Sequence, residues 1–275
     1  MKKTLALMAV GLWLASPLTA SDPSPLRTLM TGDDSRGWEG VGRLNIGAGG
    51  MCTGAMITET LVLTAGHCMF DKTTGERAKP EEIEFLAGWR NGRASAYRGV
   101  RRMAVHPDFT FDSVDKAARV VNDLALLELD QPIRKSSVQP FAVHARPRKG
   151  AEVGVVSYAH DRSESPALQE MCKVLARQSG ALVMSCSVDF GSSGAPVFVV
   201  QDGKPHIVSV VSAKAMVRDI PVSLGTNLER PLLELIQMLK TGDGVFTRAN
   251  PTSRPQVKNI GTGAAGEGGA KFLRP

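Results

Sequence analysis

The chain has 275 residues, of which 43% are hydrophobic, and about 225 of them are expected to be ordered, enough for a substantial core. Its formal net charge is +6, which falls to +4 once Lys2 and Lys3 are removed with the first 20 residues. So small an excess, part of it in the last segment of the chain, does not predict a nucleic-acid interface.

The first 20 residues, MKKTLALMAVGLWLASPLTA, have the pattern of a secretory signal peptide. Two lysines precede an apolar run from Leu5 to Ala15, and Pro17 and Ala20 follow it. The run is shorter than the roughly 20 residues of a membrane-spanning helix, and no later segment approaches that length. We therefore expect cleavage after Ala20 and a secreted or periplasmic protein with no stable membrane anchor.

The middle of the chain has the pattern of a β-protein. Between Trp38 and Val211, short runs rich in Val, Ile and Leu are separated by turn residues, which predicts mostly antiparallel strands. Helical periodicity is nearly absent until residues 228–239. There, apolar residues recur at steps of three and four, with a proline near the start and a glycine beyond the end; they are Leu228, Pro231, Leu232, Leu235, Ile236, Leu239 and Gly242.

A segment with prolines and positive charge, PFAVHARPRKG at residues 140–150, divides the body into two halves of similar size. The last residues are rich in Gly, Pro and Ala and have too little apolar surface to offset the entropy of ordering. The predicted organisation is a signal peptide at 1–20, a propeptide or N-terminal arm at 21–31, a first domain at 32–145, a second domain with the terminal helix at 146–245, and a disordered tail at 246–275.

Four cysteines remain after signal removal, and in an exported chain an even number predicts two disulfides. Three pairings are formally open. The pairing of near neighbours joins Cys52 to Cys68 and Cys172 to Cys186, and it closes two short loops. The spacing does not support a metal site instead, so neither a metal nor a cofactor is predicted.

Three segments carry residues that are able to perform chemistry. TLVLTAGHC ends in His67 and Cys68, NDLALLELD contains Asp123 near its start, and FGSSGAP contains Ser193 between glycines. Taken singly, each has an ordinary structural interpretation: a histidine at a strand end, an acid that caps a strand, and a serine in a loop. Single short motifs of this kind are weak evidence for catalysis.

Together, LTAGHC, NDLALLEL and GSSGAP resemble the signature segments of the chymotrypsin/trypsin-like serine peptidases, in the order His, Asp, Ser. The resemblance extends from about Gly32 to Lys240, and TGDDSRGWEGVGRL resembles the start of the bacterial, glutamyl-endopeptidase-like branch. It implies an all-β fold of two six-stranded antiparallel barrels with a C-terminal α-helix. The first barrel would supply His67 and Asp123, and the second Ser193.

The resemblance also implies roles for individual residues. His67 would be the general base, Asp123 would orient it, and Ser193 would be the nucleophile. Ser193 rather than Ser192 fits the frame G-x-S-G-x-P. The backbone N–H groups of Gly191 and Ser193 would form the oxyanion hole.

The chain departs from the family pattern at several positions. Ser192 stands where the family has an aspartate that commonly pairs with a newly formed amino terminus. Ser187 replaces the acid of trypsin-like members, so cleavage after Lys or Arg is not expected. VVSAK resembles the family's V-S-W-G strand. The resemblance implies that Ser212 would bond Asp123 and that Lys214 would lie at the pocket rim. Ser187, Ser212 and Lys214 are the candidate substrate-binding residues.

We therefore expect a monomeric, exported serine endopeptidase that acts on proteins or peptides through an acyl-enzyme. The alternative is an inactive homologue that serves as a protein-binding module. An α/β-hydrolase is disfavoured, since its triad order is Ser, Asp, His and alternating helices are lacking. The other four histidines, His106, His144, His160 and His206, are expected to have surface roles.

Overall fold

The computed structural model describes residues 23–178 and 180–249, without the side chains of residues 116 and 117. The predicted signal peptide lies outside the described residues, as does the predicted tail from residue 250 onward. Among the described residues, no helix is long and apolar enough to cross a bilayer.

The first domain is a closed barrel of six antiparallel strands. Around the barrel, β2 pairs with β3, β3 with β4, β4 with β7, β7 with β6, β6 with β5, and β5 with β2. Strand β7, with the sequence ALLEL, is buried along its whole length. The strands are β2 (Val41–Ile46), β3 (Gly50–Met56), β4 (Leu61–Thr64), β5 (Ile83–Ala87), β6 (Ala96–Val105) and β7 (Ala125–Leu129).

The second domain is a ring-like sheet of six antiparallel strands. Its order is β9, β10, β11, β14, β13 and β12, and the pairing of β12 with β9 closes the ring. These strands are β9 (Glu152–Ala159), β10 (Arg162–Gln178), β11 (Ala181–Met184), β12 (Pro196–Gln201), β13 (Lys204–Val217) and β14 (Ile220–Asn227). The expected all-β fold of two barrels is therefore confirmed.

Three short strands extend these two sheets. Near the amino end, β1 (Arg27–Thr28) pairs with β10 of the second sheet. In the segment between the domains, β8 (Ala142–Val143) pairs in parallel with β13. At the carboxyl end, β15 (Phe246–Thr247) pairs with β6 of the first barrel, so the ordered body continues past residue 245.

The terminal helix, α2 (Glu229–Thr241), follows the predicted pattern. Its buried face consists of Pro231, Leu232, Leu235 and Leu239, and Gly242 ends it with a left-handed φ of 86°. Although α2 follows the second domain in the chain, it packs on β6 and β7 of the first barrel. A second, shorter helix, α1 (Lys116–Val121), precedes β7.

The interior of both domains is apolar, and an aromatic cluster lies where they meet. Phe198 of β12 packs against Trp38 and Phe141, with ring centroids 5.1 Å and 4.8 Å apart. Burial of these aromatic rings stabilises the packing of the two domains against each other.

A charged cluster lies on the first barrel, where Glu128 of β7 bonds Arg101 and Arg102 of β6.

Two disulfides are present, Cys52–Cys68 and Cys172–Cys186, which is the pairing of near neighbours in the sequence.

The expectation that His106 has a surface role was wrong. His106 is only 2% exposed, and its Nε2 lies 3.0 Å from Glu234 Oε2 of α2. Its position at the end of β6, directly under the terminal helix, is set by tertiary packing that the local sequence does not reveal.

Candidate active site

His67 lies in a buried 3-10 turn (Gly66–Met69) directly after β4. The disulfide from Cys68 to Cys52 ties this turn to β3, so the backbone on both sides of the histidine is anchored. Because both cysteine sulfurs are used in that bond, they supply no thiolate that would hold a metal beside His67. The histidine is 8% exposed and lines a cavity of about 520 Å³.

Asp123 lies between α1 and β7 and is 1% exposed. Its Oδ1 accepts a hydrogen bond from the backbone N–H of His67 at 2.7 Å, and its Oδ2 is 2.6 Å from His67 Nδ1. The hydroxyl of Ser212 donates to the same Oδ2. These donors satisfy a buried carboxylate, which holds the histidine proton on Nδ1 and leaves Nε2 as the acceptor.

Ser193 lies in the turn before β12, and this turn packs against the first barrel. The Ser193 carbonyl accepts from the backbone N–H of Thr53 at 2.8 Å, and Gly194 N–H donates to Val211 O at 2.8 Å. A Cβ on Gly194 would lie 3.0 Å from Ala65 N, two residues before His67. The turn that carries Ser193 therefore lies against the segment that carries His67, and His67 is bonded to Asp123.

In the described structure, Ser193 Oγ forms no hydrogen bond with His67. The side chain is partly exposed, whereas the neighbouring Ser192 is fully buried. Hydrogen bonds between a nucleophile and its base are often long in unliganded enzymes and tighten when substrate binds. Of the two serines, only Ser193 is accessible to a substrate.

The turn around Ser193 leaves two backbone donors free. The N–H groups of Ser192 and Gly194 bond Asp189 O and Val211 O, respectively. Those of Gly191 and Ser193 donate to no acceptor within the described residues. Gly191 has a φ of 97°, a value that favours glycine. Two free amides one residue apart are the donors that an oxyanion hole requires.

Thr53 of β3 holds this turn in place and was not identified from the sequence. Its hydroxyl donates to Gly191 O at 3.0 Å and accepts from Tyr158 N at 3.1 Å. Its backbone carbonyl accepts from the Thr64 hydroxyl at 2.8 Å. Thr53 therefore links the first barrel to the segment that carries the free amides.

Ser192 lies in a buried polar network behind the turn. Its Oγ accepts from Arg162 Nη2 at 3.1 Å and from Asp189 N at 3.2 Å. It also lies 3.2 Å from Tyr158 O and 3.3 Å from Ser157 Oγ. Burial raises the pKa of Tyr158 far above its usual value, so the phenol stays neutral. The turn is thus fixed from behind by the hydrogen bonds of Ser192 with the Arg162 guanidinium, the Ser157 hydroxyl and the Tyr158 backbone carbonyl.

The predicted substrate-binding residues separate in the structure. Ser187 and Lys214 line one cavity of about 330 Å³, together with Leu26, Arg162, Asp189 and Val222. Lys214 Nζ lies 3.9 Å from Asp189 Oδ1, and both side chains are about half exposed. Ser212 does not line this cavity, since its hydroxyl is directed to Asp123.

A double-barrel fold with a buried His–Asp pair and a glycine-bracketed serine in the cleft is the arrangement of serine peptidases. A family model described as Trypsin matches residues 32–215. The chain therefore belongs to the chymotrypsin/trypsin-like serine peptidase family.

Individual relatives agree with the family assignment. The glutamyl endopeptidase of Bacillus licheniformis is 25% identical over 150 residues, which are 54% of this chain and 45% of that protein. The serine proteinase stubble of Drosophila melanogaster is 33% identical over 97 residues, 35% of this chain and 11% of that protein. The chain thus spans less than half the length of these curated relatives.

A solved structure of Glu endopeptidase in complex with MPD shares the fold. Its TM-score is 0.63 at 15% sequence identity, with 82% of this chain and 100% of that chain covered. At this identity the likeness concerns the arrangement of the strands. It supports the two-barrel architecture found above.

Proposed function

We propose that this protein is an exported serine endopeptidase that hydrolyses peptide bonds with His67, Asp123 and Ser193. The observation that carries the proposal is the buried His67–Asp123 pair, with Nδ1 and Oδ2 2.6 Å apart, in a cleft beside the Ser193 turn. Two disulfides among the described residues fit an oxidising compartment outside the cytoplasm.

In the first step, Ser193 Oγ attacks the substrate carbonyl carbon while His67 Nε2 takes the hydroxyl proton. The carbonyl oxygen becomes an oxyanion that the N–H groups of Gly191 and Ser193 stabilise; one such donor is typically worth about 100- to 1,000-fold in turnover. The tetrahedral intermediate then collapses. The C–N bond breaks, the imidazolium donates its proton to the leaving amine, and an ester to Ser193 remains.

In the second step, water attacks the ester carbonyl and gives a proton to His67 Nε2. The second tetrahedral intermediate expels Ser193 Oγ, which takes the proton back, and the acid product leaves. Asp123 orients His67 and takes up no proton in either step, and the backbone N–H of His67 and the Ser212 hydroxyl donate to it as well. It compensates the positive charge that His67 carries between the two proton transfers.

We further propose that the substrate residue before the scissile bond enters the cavity that contains Ser187 and Lys214. The two cations on its lining, Arg162 and Lys214, are paired with the lining carboxylates Asp161 and Asp189, so no unpaired carboxylate of the described lining is left to attract a Lys or Arg side chain. An acidic side chain competes with Asp189 for Lys214. A peptide library should show few cleavages after Lys or Arg; dominant cleavage there would contradict this assignment of the cavity.

A fluorophosphonate probe separates the peptidase from the inactive homologue. The chain beginning at Ser21 should be labelled, with the adduct on Ser193 by peptide mass spectrometry. Labelling should disappear in Ser193→Ala and fall sharply in His67→Ala, while His144→Ala, which changes an exposed histidine, should keep it. Absence of labelling in the parent, or full labelling of His67→Ala, would favour the protein-binding alternative.

A further inference from the structure

The segment before the first barrel is built into the second sheet. Backbone hydrogen bonds join Ser24 N to Met171 O and Leu29 N to Pro166 O, both at 2.8 Å, and β1 pairs with β10 between them. Leu29 is completely buried in the core. We name residues 23–29 the N-terminal arm; its two-residue strand β1 lies at an edge of the second sheet, and backbone hydrogen bonds on both sides of β1 hold the arm there.

Gln169 of β10 connects this arm to the candidate substrate cavity. Its side-chain amide is 1% exposed, and both of its ends are used. Nε2 donates to the Ser24 carbonyl at 2.8 Å, and Oε1 accepts from the Ser187 backbone N–H at 2.7 Å. A buried amide with both ends bonded has one orientation, so the position of the arm fixes that of Ser187.

The arm also reaches the cavity directly. Leu26 lines it together with Ser187 and Lys214, and Leu26 remains 36% exposed. A leucine held at the wall of a polar cavity supplies apolar contact to a substrate side chain. The arm thus contributes one lining residue directly and positions a second through Gln169.

We propose that the N-terminal arm is a permanent part of the substrate site, with Leu26 as a specificity-determining residue and Gln169 as a positioning residue for Ser187. This inference rests on the proposed function, since it assigns the cavity to the substrate of that reaction. For residues 23–29, it selects a retained arm over a discarded propeptide, the two alternatives that the sequence left open.

The test uses the chain beginning at Ser21 and compares Leu26→Ala with Leu175→Ala. The two leucines are 36% and 38% exposed, and Leu175 lies on β10 away from the cavity. For a peptide substrate with a large apolar residue before the scissile bond, Leu26→Ala should raise KM by about 3- to 10-fold with little change in kcat. A substrate with alanine there should respond less, and Leu175→Ala should alter neither.

Gln169→Met keeps the length of the side chain and removes both hydrogen bonds. It should raise KM in the same direction as Leu26→Ala, and hydrogen exchange of the peptide that contains Ser187 should become faster. Labelling of Ser193 by a small fluorophosphonate, which does not fill the cavity, should stay within about twofold of the parent rate. Hydrogen exchange reports on the positioning of Ser187 without requiring activity.

Two results would overturn the inference. One is an unchanged KM and substrate preference in Leu26→Ala, with unchanged exchange at Ser187 in Gln169→Met. The other is an equal loss of labelling and of peptide turnover, which would place the effect on the fold or on the Ser193 turn. A parent chain that is not labelled refutes the proposed function instead, and the exchange experiment still tests the role of Gln169.

Discussion

The close packing of the Ser193 turn against the first barrel predicts a large effect for Gly194→Ala. A Cβ at residue 194 would lie 2.1 Å from Thr64 Oγ1 and 2.2 Å from the backbone oxygen of Thr53. Even close C···O contacts are about 3.3 Å, so the turn would have to move by about 1 Å. Gly194 also has a φ of 80°, where a side chain costs about 1 to 2 kcal/mol.

Gly150→Ala is the matched control for Gly194→Ala. Gly150 has a φ of 84°, and a Cβ there would meet nothing within 4 Å. The two variants therefore share the cost of a left-handed alanine, about 1 to 2 kcal/mol, and differ in the steric clash. For Gly150→Ala we expect a Tm lower by about 2 to 8 °C and an unchanged kcat.

For Gly194→Ala we expect at least about a 100-fold lower kcat, since a 1 Å displacement of a reacting group costs that much. Labelling of Ser193 should slow by a similar factor. The assay is steady-state hydrolysis of a peptide substrate, with thermal unfolding of both variants. If Gly194→Ala lost no more stability than Gly150→Ala and kept kcat within about threefold, contact with Thr53 and Thr64 would not position Ser193.

Three further substitutions test the site and the first barrel. Asp123→Asn should lower kcat about 10,000-fold at unchanged thermal stability, because an amide no longer selects the Nδ1–H tautomer; a drop under about tenfold would contradict that role. Thr53→Val removes both hydrogen bonds of the hydroxyl at nearly constant side-chain volume. The factor by which it lowers kcat should be about ten times the factor by which it raises KM. A raised KM with an unchanged kcat would instead assign Thr53 to substrate binding. Burial opposes the charge of Glu128, but its two arginine partners outweigh burial and lower the pKa of its carboxyl. Because the folded pKa is the lower one, Glu128 stabilises the fold above about pH 4.3, the usual unfolded value, and this stability is lost as pH falls through the folded pKa. Urea unfolding of Glu128→Gln should therefore show a deficit of about 1 kcal/mol at pH 7 that shrinks toward pH 3; a constant deficit would refute the linkage.

Local signals were sufficient for much of the fold. The strand runs of the first barrel and the α2 helix, with Pro231 near its start and Gly242 beyond its end, follow from neighbouring residues. Of the three disulfide pairings that the sequence left open, the structure has the one between near neighbours. The segment 162–178 carried no such signal. It is mixed in polarity, and its pairing with β9 shifts register between Arg162 and Ala167 and again between Gln169 and Cys172. Two bulges disrupt the alternation by which strands are recognised.

The parts of the site that were missed depend on contacts between distant residues. Gln169 meets Ser24 across 145 positions, and Thr53 meets Gly191 across 138. A glutamine on a strand or a threonine after a cysteine has no local feature that marks such a role. His67, Asp123 and Ser193 were found because each lies in a short recurring segment, whereas the residues that hold them are dispersed along the chain.

Ser192 and the N-terminal arm together bear on how the site is organised. A carboxylate at residue 192 would attract an ammonium group, but a serine hydroxyl offers no such charge. The Arg162 guanidinium already donates to Ser192 Oγ, and it would repel a second cation brought to the same position. The arm lies instead along β10, where Leu26 and Gln169 connect it to the candidate cavity. The amino-terminal segment therefore acts on this site through packing and hydrogen bonds, and the turn that carries Ser193 is held by groups within the second sheet and by Thr53.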